Sequence, residues 1–362
     1  MKKMRGSVAV FTRAYNAEIA LKRAIESILS QTHSSLKYYL LDNGSNDETP
    51  MIAKHYEAKD NRVLHLKNET NTLHNTYTGI GWTRFNVLED ILKESGTNSC
   101  SYCDYYASLD ADDEYLPDFL EKALAFMEDN DLEAVRVGSY FVESKTNEII
   151  RTKEVPEDII LEGRDFADRF PEYRSHVLTT WGGIYSVELL KRCELSKIKG
   201  FDHMNDTAFC HEVFRKAKRA GIMATPLHKY YISLTSKSNQ YTPYWYKSCK
   251  KIMQLTRDYL LDYGEISQAN EDYLRVIWLT QLKYVIPRIQ NSSVDFATKV
   301  KDISVFLSDE MTVEVLRRWS EVGIYSDRHE FVESILDWIE TQPERSSCEG
   351  LIRDIYKVLE GY

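Results

Sequence analysis

The sequence predicts an α/β protein in which a mainly parallel, doubly wound mixed sheet is followed by an α-helical extension. Three observations predict it. Short apolar runs alternate with amphipathic helical stretches early in the chain, the middle is more mixed, and only helical spacing is left after about residue 243. Alternating strands and helices indicate parallel pairing, because each crossover helix returns the chain to the same end of the sheet. We therefore predict one domain over residues 1–240 and a helical extension over 241–362.

The elements of the first half follow from short apolar runs and one-sided helical stripes. Predicted strands cover residues 8–11, 38–41, 62–66 and 105–109. Predicted helices cover residues 17–28, 47–58, 78–95 and 117–129. Asn16 is expected to cap the first helix, because an Asn side chain accepts hydrogen bonds from the N–H groups of a first turn.

The middle and C-terminal regions have different patterns. The predicted elements of the middle region are a strand over 134–142, its hairpin partner over 148–151, a short strand near 181–185 and an amphipathic helix over 207–220. Further on, apolar residues such as Leu274, Trp278 and Leu282 repeat at helical spacing. Such stripes more often build a core than a groove for a partner, so we interpret them as the core of the helical extension.

Composition and charge narrow the class of protein. Lys and Arg number 46 against 56 Asp and Glu, and the resulting net charge of −10 argues against nucleic-acid binding. The sequence has no run of 18 apolar residues and its first residues lack the apolar stretch of a signal peptide. We expect a cytoplasmic protein with no transmembrane segment, for which a peripheral contact at the inner face of the membrane stays open. Six cysteines do not make a disulfide framework, so Cys100 and Cys103 are interpreted as reduced thiols.

The most informative segment is Leu109–Glu114, which we call the acidic turn. Its carboxylates follow a predicted buried strand and precede Pro117, which suits the first turn of a helix. In open α/β sheets, ligands bind beyond the carboxyl ends of the strands. Clustered carboxylates repel one another, so the turn fits a divalent cation held by one or two carboxylates and by substrate phosphates. The alternative is a solvated acidic turn that caps the next helix.

Four segments, taken in order, resemble the family 2 glycosyltransferases, which have the GT-A fold. Val10–Asn16 is similar to the family's first strand and loop, although the usual proline region is replaced, and Asp42–Thr49 matches its D-[DN]-G-S-x-D-x-T signature. The acidic turn matches its metal-binding DxD signature, and Asn205–Phe209 is similar to its later EDxxF element. The resemblance covers residues 7–221 and implies the GT-A fold, which is that of the nucleotide-diphospho-sugar transferases.

The resemblance implies a donor side that binds a nucleotide-sugar. Asp42 would contact the uracil edge of a UDP-sugar, because a carboxylate accepts from a ring N–H and so suits uracil or thymine better than a purine. Asp112 would ligate Mn²⁺ or Mg²⁺ bridging the diphosphate, and Asp110 would contact the ribose or assist the metal. The other residues assigned to the nucleotide-sugar are Thr12, Ala14, Tyr15, Asn43, Arg84 and Ala111.

Two donor-side features depart from the family pattern. Arg84 lies in a segment similar to the family's ARN helix and would contact phosphate, but Phe85 separates it from Asn86, so an ordinary helix charge is the alternative. Family members often carry a later His near the diphosphate, and residues 230–237 have none. The candidates to replace it, none preferred, are His228, Ser236 and Lys237.

The resemblance places the acceptor side later in the chain. Asp206 is the candidate general base, and the alternative is an acid that only stabilises the N-terminal turn of its helix. Asn205 stands where the family usually has Glu, which removes a neighbouring charge from Asp206. Trp181, Gly182 and Gly183 are assigned to acceptor binding, because an indole stacks on sugars and glycines allow close backbone approach. A buried Trp beside a tight turn is the alternative.

The predicted function is that of a metal-dependent, inverting glycosyltransferase that moves a hexose-type sugar from a UDP-sugar to an acceptor hydroxyl. The acceptor would be a glycan, a lipid-linked glycan or a protein, and the helical extension would recognise it or form a homodimer. A single addition is favoured because the sequence lacks the QxxRW element of processive synthases. Two alternatives stay open: a non-catalytic nucleotide- or glycan-binding relative, and a sugar nucleotidyltransferase, although residues 12–16 have no glycine-rich loop.

Overall fold

The structure is a computed structural model that describes residues 6–71, 84–94, 103–198, 204–232, 241–318 and 328–360. The chain divides into two compact units, Met1–Ser233 and Leu234–Tyr362. In the described ranges, the first unit is built on a mixed sheet with helices and the second consists of helices and turns. The predicted α/β class with a C-terminal helical region is therefore confirmed.

The first unit alternates strands and helices along the chain. Its strands are β1 (Val8–Ala14), β2 (Leu36–Asp42), β3 (Val63–Lys67), β4 (Tyr105–Ser108), β5 (Glu114–Tyr115), β6 (Ala134–Glu143), β7 (Ile149–Lys153), β8 (Ile159–Glu162), β9 (Gly183–Ser186) and β10 (Arg219–Ile232). Its helices are α1 (Leu21–Leu29), α2 (Thr49–Lys59), α3 (Arg84–Glu94), α4 (Phe119–Asp129), α5 (Asp165–Asp168), α6 (Phe170–Tyr173), α7 (Val187–Arg192), α8 (Leu195–Ile198) and α9 (Asn205–Lys216).

The sheet of the first unit is parallel on one side and mixed on the other. Its strands follow the order β3-β2-β1-β4-β9-β6-β10-β5, with β7 beside β6 and β8 beside β10. β1 is parallel to both β2 and β4, whereas β9 runs antiparallel between β4 and β6. Ala14 pairs with Asp42 and Phe11 with Ser108, so the carboxyl ends of β1, β2 and β4 meet at one edge. This edge is where an α/β sheet offers a ligand site.

Helix α1 shows why the sequence pattern predicted this layer. Leu21, Ala24, Ile25 and Ile28 are fully buried on one face of the helix. They belong to a core cluster that includes residues of β1, β2, β4 and α4. Burial of one such aliphatic side chain contributes about 1.5–3 kcal/mol, so this stripe fixes the helix on the sheet.

The second unit is a set of packed helices. They are α10 (Trp245–Leu261), α11 (Gln268–Gln290), α12 (Phe296–Leu307), α13 (Glu310–Arg317), α14 (Arg328–Glu340) and α15 (Glu349–Glu360). Trp278 is fully buried and its indole N–H donates to Thr312 Oγ1 over 2.8 Å. Asp309 caps α13 and also accepts from the Tyr246 hydroxyl over 2.7 Å, which ties α10 to α13. No helix in the described ranges is long and apolar enough to cross a membrane.

Two local predictions are wrong. Asn16 does not cap α1, which begins at Leu21; it has a φ of 47° and its side chain accepts from Asn46 N–H across to the next loop. The helix predicted over 207–220 ends at Lys216, and β10 follows it. That strand was hidden by Pro226, which lies between two register shifts in the pairing with β6. Residues 78–83 of another predicted helix lie outside the described ranges.

Candidate active site

Two loops at the carboxyl edge of the sheet are tied to each other, and we call them the paired loops (residues 14–18 and 42–49). They are joined largely by backbone N–H groups of one loop that donate to side chains of the other. These bonds include Ala17 N to Thr49 Oγ1 at 2.8 Å, Asn16 N to Ser45 Oγ at 3.0 Å, Asn46 N to Asn16 Oδ1 at 2.9 Å and Glu18 N to Asp47 Oδ2 at 3.1 Å. The loops therefore form one rigid platform above β1 and β2.

Asp42 is the buried acid of this platform. Its Oδ1 accepts from Ser45 N–H over 3.0 Å, while its Oδ2 is buried and has no hydrogen-bond partner within the described residues. Gly44 follows with a φ of 73°, and a Cβ there would lie 2.4 Å from the carbonyl carbon of Thr70. The chain at Thr70 thus crosses directly over the turn. A buried carboxylate oxygen with no partner is a site where a ligand N–H or a water is expected.

Four other residues assigned to the nucleotide-sugar, namely Thr12, Ala14, Tyr15 and Asn43, lie on the same two strands and loops as Asp42. Thr12 is fully buried in β1, Ala14 ends that strand and Tyr15 is half-buried in the loop after it. Asn43 accepts from Asn68 Nδ2 and donates to Asn71 Oδ1, each over 2.8 Å. These residues all lie at the carboxyl ends of β1 and β2, as the sequence motifs predicted.

The acidic turn contains four acids, of which Asp113 and Glu114 are bonded to β10. Asp113 is fully buried, and its Oδ1 accepts from Tyr231 N–H of β10 over 3.0 Å. Asp112 is exposed, and its backbone carbonyl accepts from Arg23 over 2.5 Å. Asp110 is half-buried directly after β4, and Ala111 between them is buried. Asp113 therefore anchors the turn, which leaves Asp110 and Asp112 as candidates for a ligand.

The acidic turn carries negative charge in excess. Burial raises the pKa of Asp110 well above its ordinary value, and Asp113, Asp206 and Asp112 raise it further. Burial likewise raises the pKa of Asp113, and the charge of Asp112 raises it further. Throughout the described part of the chain, no group of three or more His, Cys, Asp or Glu side chains is arranged to hold a metal ion. Asp110 and Asp112 therefore fit Mg²⁺ or Mn²⁺ only as a partial, all-oxygen ligand set that phosphate oxygens would complete.

An ion pair stands next to this turn. Arg84, at the start of α3, donates from Nη1 to Asp206 Oδ1 over 2.5 Å, with side-chain exposures of 15% and 34%. Burial lowers the pKa of Arg84, but Asp206, Tyr106 and Asp110 raise it by more, so its pKa lies above the ordinary value. Asp206 is in the first turn of α9, where an acid is favoured by the helix dipole. The predicted base and the predicted phosphate ligand are thus in direct contact.

Arg13 is a cleft residue that the sequence interpretation missed. Burial and the neighbouring Arg84 lower its pKa, while Asp110 and Asp206 act in the opposite direction. Arg13 therefore shares one electrostatic environment with the acids of the cleft. The available signal was a lone arginine between the buried residues Thr12 and Ala14 at the end of β1.

Residues 174–183 precede and enter β9, and we call them the bridging loop. Arg136 of β6 is 1% exposed and holds this loop through all its N–H groups. Its guanidinium donates to His176 O at 2.8 Å, Thr180 O at 3.3 Å, Trp181 O at 2.6 Å, Thr179 Oγ1 at 3.2 Å and Tyr185 Oη at 2.7 Å. A buried charge is tolerated only when it is hydrogen-bonded in this way. Arg136 therefore fixes the path of the loop.

The bridging loop also contacts the helix that carries Asp206. Thr207 Oγ1 donates to Leu178 O over 2.9 Å, and Cys210 Sγ donates to Thr179 O over 3.0 Å. From β7, Lys153 Nζ donates to Ser175 O. Burial and then Arg136 lower the pKa of Lys153 to about 7. The loop thus connects the sheet to the first turn of α9.

The prediction that Trp181 forms an acceptor platform is wrong for its indole face. Trp181 is 7% exposed and stacks on His228 at 4.4 Å and on Tyr230 at 5.4 Å between ring centroids. Gly182 has a φ of 68°, and a Cβ at Gly183 would lie 2.4 Å from Arg136 Nη1. Packing of the bridging loop, rather than a sugar, accounts for all three residues.

His228 is buried beneath Trp181. Burial and Arg136 lower its pKa to about 3, so the imidazole is neutral at pH 7. Its Nδ1 lies 3.2 Å from Ser139 Oγ and its Nε2 3.4 Å from Asp113 Oδ2. This histidine therefore supports the acidic turn from within the core. The other suggested replacements, Ser236 and Lys237, lie outside the described residues.

Comparison with known proteins identifies this arrangement. Residues 9–80 and 98–193 match the family model of the glycosyl transferase family 2. The chain belongs to the family 2 glycosyltransferases. The matched segments contain the paired loops, the acidic turn and the bridging loop. Asp206 and β10 lie beyond the match, so the structure alone relates them to the rest of the cleft.

Relatives of this glycosyltransferase are distant. The uncharacterised glycosyltransferase YibD of Escherichia coli is 24% identical over 283 residues, which span 74% of this chain and 77% of YibD. The uncharacterised glycosyltransferase EpsJ of Bacillus subtilis is 24% identical over 324 residues and 86% of each chain. An uncharacterised glycosyltransferase of Methanocaldococcus jannaschii is 36% identical, but over 39% of this chain and 44% of its own length.

Solved structures show the same fold for this glycosyltransferase. A structure of residues 1–349 of S. aureus TarS in complex with UDP superposes with a TM-score of 0.52 at 15% identity, covering 98% of this chain and 91% of that fragment. A second TarS structure contains UDP-GlcNAc. The likeness shows the GT-A fold that the motifs predicted.

Proposed function

We propose that this glycosyltransferase is a metal-dependent, inverting enzyme that transfers a sugar from a UDP-sugar to an acceptor hydroxyl in single additions. One observation carries the proposal. The acidic turn, the Arg84–Asp206 pair and Arg13 form a single electrostatic cluster at the carboxyl edge of the sheet. In such a cluster, the arginines can bind the donor diphosphate, the acids of the turn can bind a divalent cation, and Asp206 can accept a proton.

The choice of UDP rests on Asp42. Its buried Oδ2 lacks a hydrogen-bond partner within the described residues, and uracil has a ring N–H that can donate to it. Thr12 and the backbone at Ala14 and Tyr15 would surround the nucleoside. TarS, which has the same fold, contains UDP in its solved complex. A purine would present a different edge and a larger ring to the same rigid platform.

The metal would be held by Asp112 and Asp110. Both are oxygen ligands of the kind that Mg²⁺ and Mn²⁺ prefer, and the neighbouring carboxylates that help to raise the pKa of Asp110 indicate charge that a cation would offset. When bound, the ion supplies Lewis-acid stabilisation of the departing diphosphate. Asp113 and His228 keep the turn in position from the core.

The chemical step assigned to the protein is a proton transfer. Asp206 would take the proton of the acceptor hydroxyl as the hydroxyl oxygen forms a bond to the anomeric carbon of the donor sugar. The bond between that carbon and the diphosphate oxygen breaks at the same time. The diphosphate leaves with the electron pair. A single displacement inverts the anomeric configuration, and general-base catalysis typically contributes about 10²–10⁴-fold.

The acceptor in this proposal is a glycan, a lipid-linked glycan or a protein. The first unit would be the catalytic domain, and the helical region would recognise the acceptor or form a homodimer. We also propose a cytoplasmic location, with a peripheral contact at the inner face of the membrane where the acceptor is lipid-linked.

Nucleotide binding tests the proposal. Thermal-shift measurements with UDP, GDP, CDP and dTDP, each with Mn²⁺ and with EDTA, should give a Mn²⁺-dependent rise in melting temperature with UDP, because a ligand of the native state stabilises it by mass action. Asp112→Asn should remove the metal dependence. A shift of equal size with EDTA would refute the metal role, and no shift with any of the four nucleotides would refute the donor class.

A further inference from the structure

The Arg84–Asp206 pair joins two groups that the reaction needs separately. Arg84 is the cation assigned to the donor diphosphate, and Asp206 is the carboxylate assigned to the acceptor proton. Their contact of 2.5 Å is the short, charge-assisted kind. While Asp206 Oδ1 accepts from Arg84, that oxygen is occupied by the guanidinium. The pair as it stands therefore keeps the base engaged.

Arg84 has both the capacity and the surroundings to bind a second anion. Its Nε is buried and makes no hydrogen bond within the described residues. Arg13 is close enough to Arg84 for the positive charge of Arg84 to lower the pKa of Arg13. The two guanidiniums together therefore favour an anion with more charge than one carboxylate. Asp110, the proposed ribose or metal contact, is also among the neighbours of Arg84. The diphosphate of a donor would therefore lie within reach of this arginine.

We propose that Arg84 couples donor binding to the release of the base. Asp206 and the donor diphosphate compete for the Arg84 guanidinium: the carboxylate holds it when no donor is bound, and the diphosphate draws it away when the donor binds. Asp206 then becomes free to accept the acceptor proton only after the donor is in place. This inference rests on the proposed function and adds a link, through one arginine, between the donor diphosphate and the base.

Competition has a consequence that a simple base does not share. If Asp206 competes with the diphosphate, then removing its charge strengthens UDP binding. A coupling of the usual size for two linked sites changes affinity by about fivefold or more. A base without this link leaves UDP affinity unchanged when mutated, and a residue that binds the donor directly weakens it.

The test is a double-mutant cycle on UDP binding, measured by calorimetry on the full chain with Mg²⁺. We expect Asp206→Asn to lower the Kd of UDP about fivefold or more, Arg84→Ala to raise it, and the double variant to match Arg84→Ala. Glu212→Gln is the matched control: it also removes one acid from α9, but its carboxylate accepts from Glu194 N–H over 2.7 Å, and its Kd should equal that of the wild type. Arg84→Lys, which keeps the charge, provides a milder second variant.

The outcomes separate the two proposals. Tightening in Asp206→Asn that disappears in the double variant supports the coupling. Wild-type binding of UDP with an unchanged or weaker Kd in Asp206→Asn overturns the coupling and leaves the proposed function standing. Tightening of equal size in Glu212→Gln also overturns it, because general charge would then be the cause. A wild-type chain that binds no UDP overturns both.

Discussion

The paired loops and the bridging loop belong to the same unit but are held by different chemistry. The paired loops are joined by many short-range bonds between backbone N–H groups and neutral or acidic side chains. The bridging loop is held mainly by one buried guanidinium, Arg136, which donates to four oxygens of the loop and to Tyr185 Oη, while Lys153, Thr207 and Cys210 add one bond each. The first arrangement distributes its stability over several bonds, and the second concentrates most of its bonds in one residue. Mutations should therefore act gradually on one side of the cleft and abruptly on the other.

The largest effect is expected on turnover, from a substitution in α9, the helix that the bridging loop contacts. Asp206→Asn should lower turnover about 10²–10⁴-fold, because the acceptor hydroxyl loses its proton acceptor. Turnover is measured as the release of UDP from the UDP-sugar that a screen of donors selects. The control is Thr207→Ser, which keeps the hydroxyl that donates to Leu178 O and should retain most activity. Near-normal turnover in Asp206→Asn would place the base elsewhere.

Arg136→Met tests whether one residue carries the bridging loop. The carbonyls of His176, Thr180 and Trp181 would lose their donor, and we expect the free energy of unfolding to fall by about 2–4 kcal/mol. Urea denaturation followed by circular dichroism measures this change. Arg136→Lys should be intermediate, because an ammonium supplies fewer donors in a different geometry. A loss below about 0.5 kcal/mol in Arg136→Met would mean that the loop is held elsewhere.

Gly44→Ala makes the corresponding test on the paired loops. The substitution adds a Cβ at a φ of 73°, where it would lie 2.4 Å from the carbonyl carbon of Thr70. We expect a loss of about 1–3 kcal/mol in unfolding free energy together with weaker UDP binding. Gly163→Ala is a matched control, because its φ is 56° and a Cβ there meets nothing within 4 Å. Equal losses in the two variants would show that backbone strain, and not the crossing chain, is the cause.

The smallest effect concerns pH at the edge of the bridging loop. Lys153 has its pKa lowered from 10.5 to about 7 by burial and by nearby arginines. Between these values the unfolded chain binds more protons than the folded one, so this lysine makes stability rise with pH from about 7 towards 10. Lys153→Met should flatten that rise by about 1 kcal/mol, since part of the side chain reaches solvent. Denaturation of both proteins at pH 7, 8 and 9 measures it, and parallel curves would contradict it.

The comparison also explains what the sequence could predict. The paired loops and the acidic turn were found because each is a contiguous motif in the sequence, although the bonds that hold them come from residues far along the chain. Arg136 lies about 40 positions from the loop that it holds, and nothing local distinguishes it from a surface arginine on a strand. β10 was missed for a related reason: Pro226 breaks the local strand signal, and pairing with β6, β5 and β8 overrides it. Trp181 was misjudged because its neighbours His228 and Tyr230 come from that same strand.

The position of β9 also governs how the first unit can be assembled during synthesis. β9 lies between β4 and β6 in the sheet, although β6 is made before it. Before the ribosome reaches residue 183, β4 and β6 have been synthesised, but β9 has not. Each of the two strands then has an exposed edge where β9 will pair. Such edges favour pairing with other chains. The nascent chain therefore passes through a period of aggregation risk at these two edges, which lasts until the short strand after the bridging loop pairs with both.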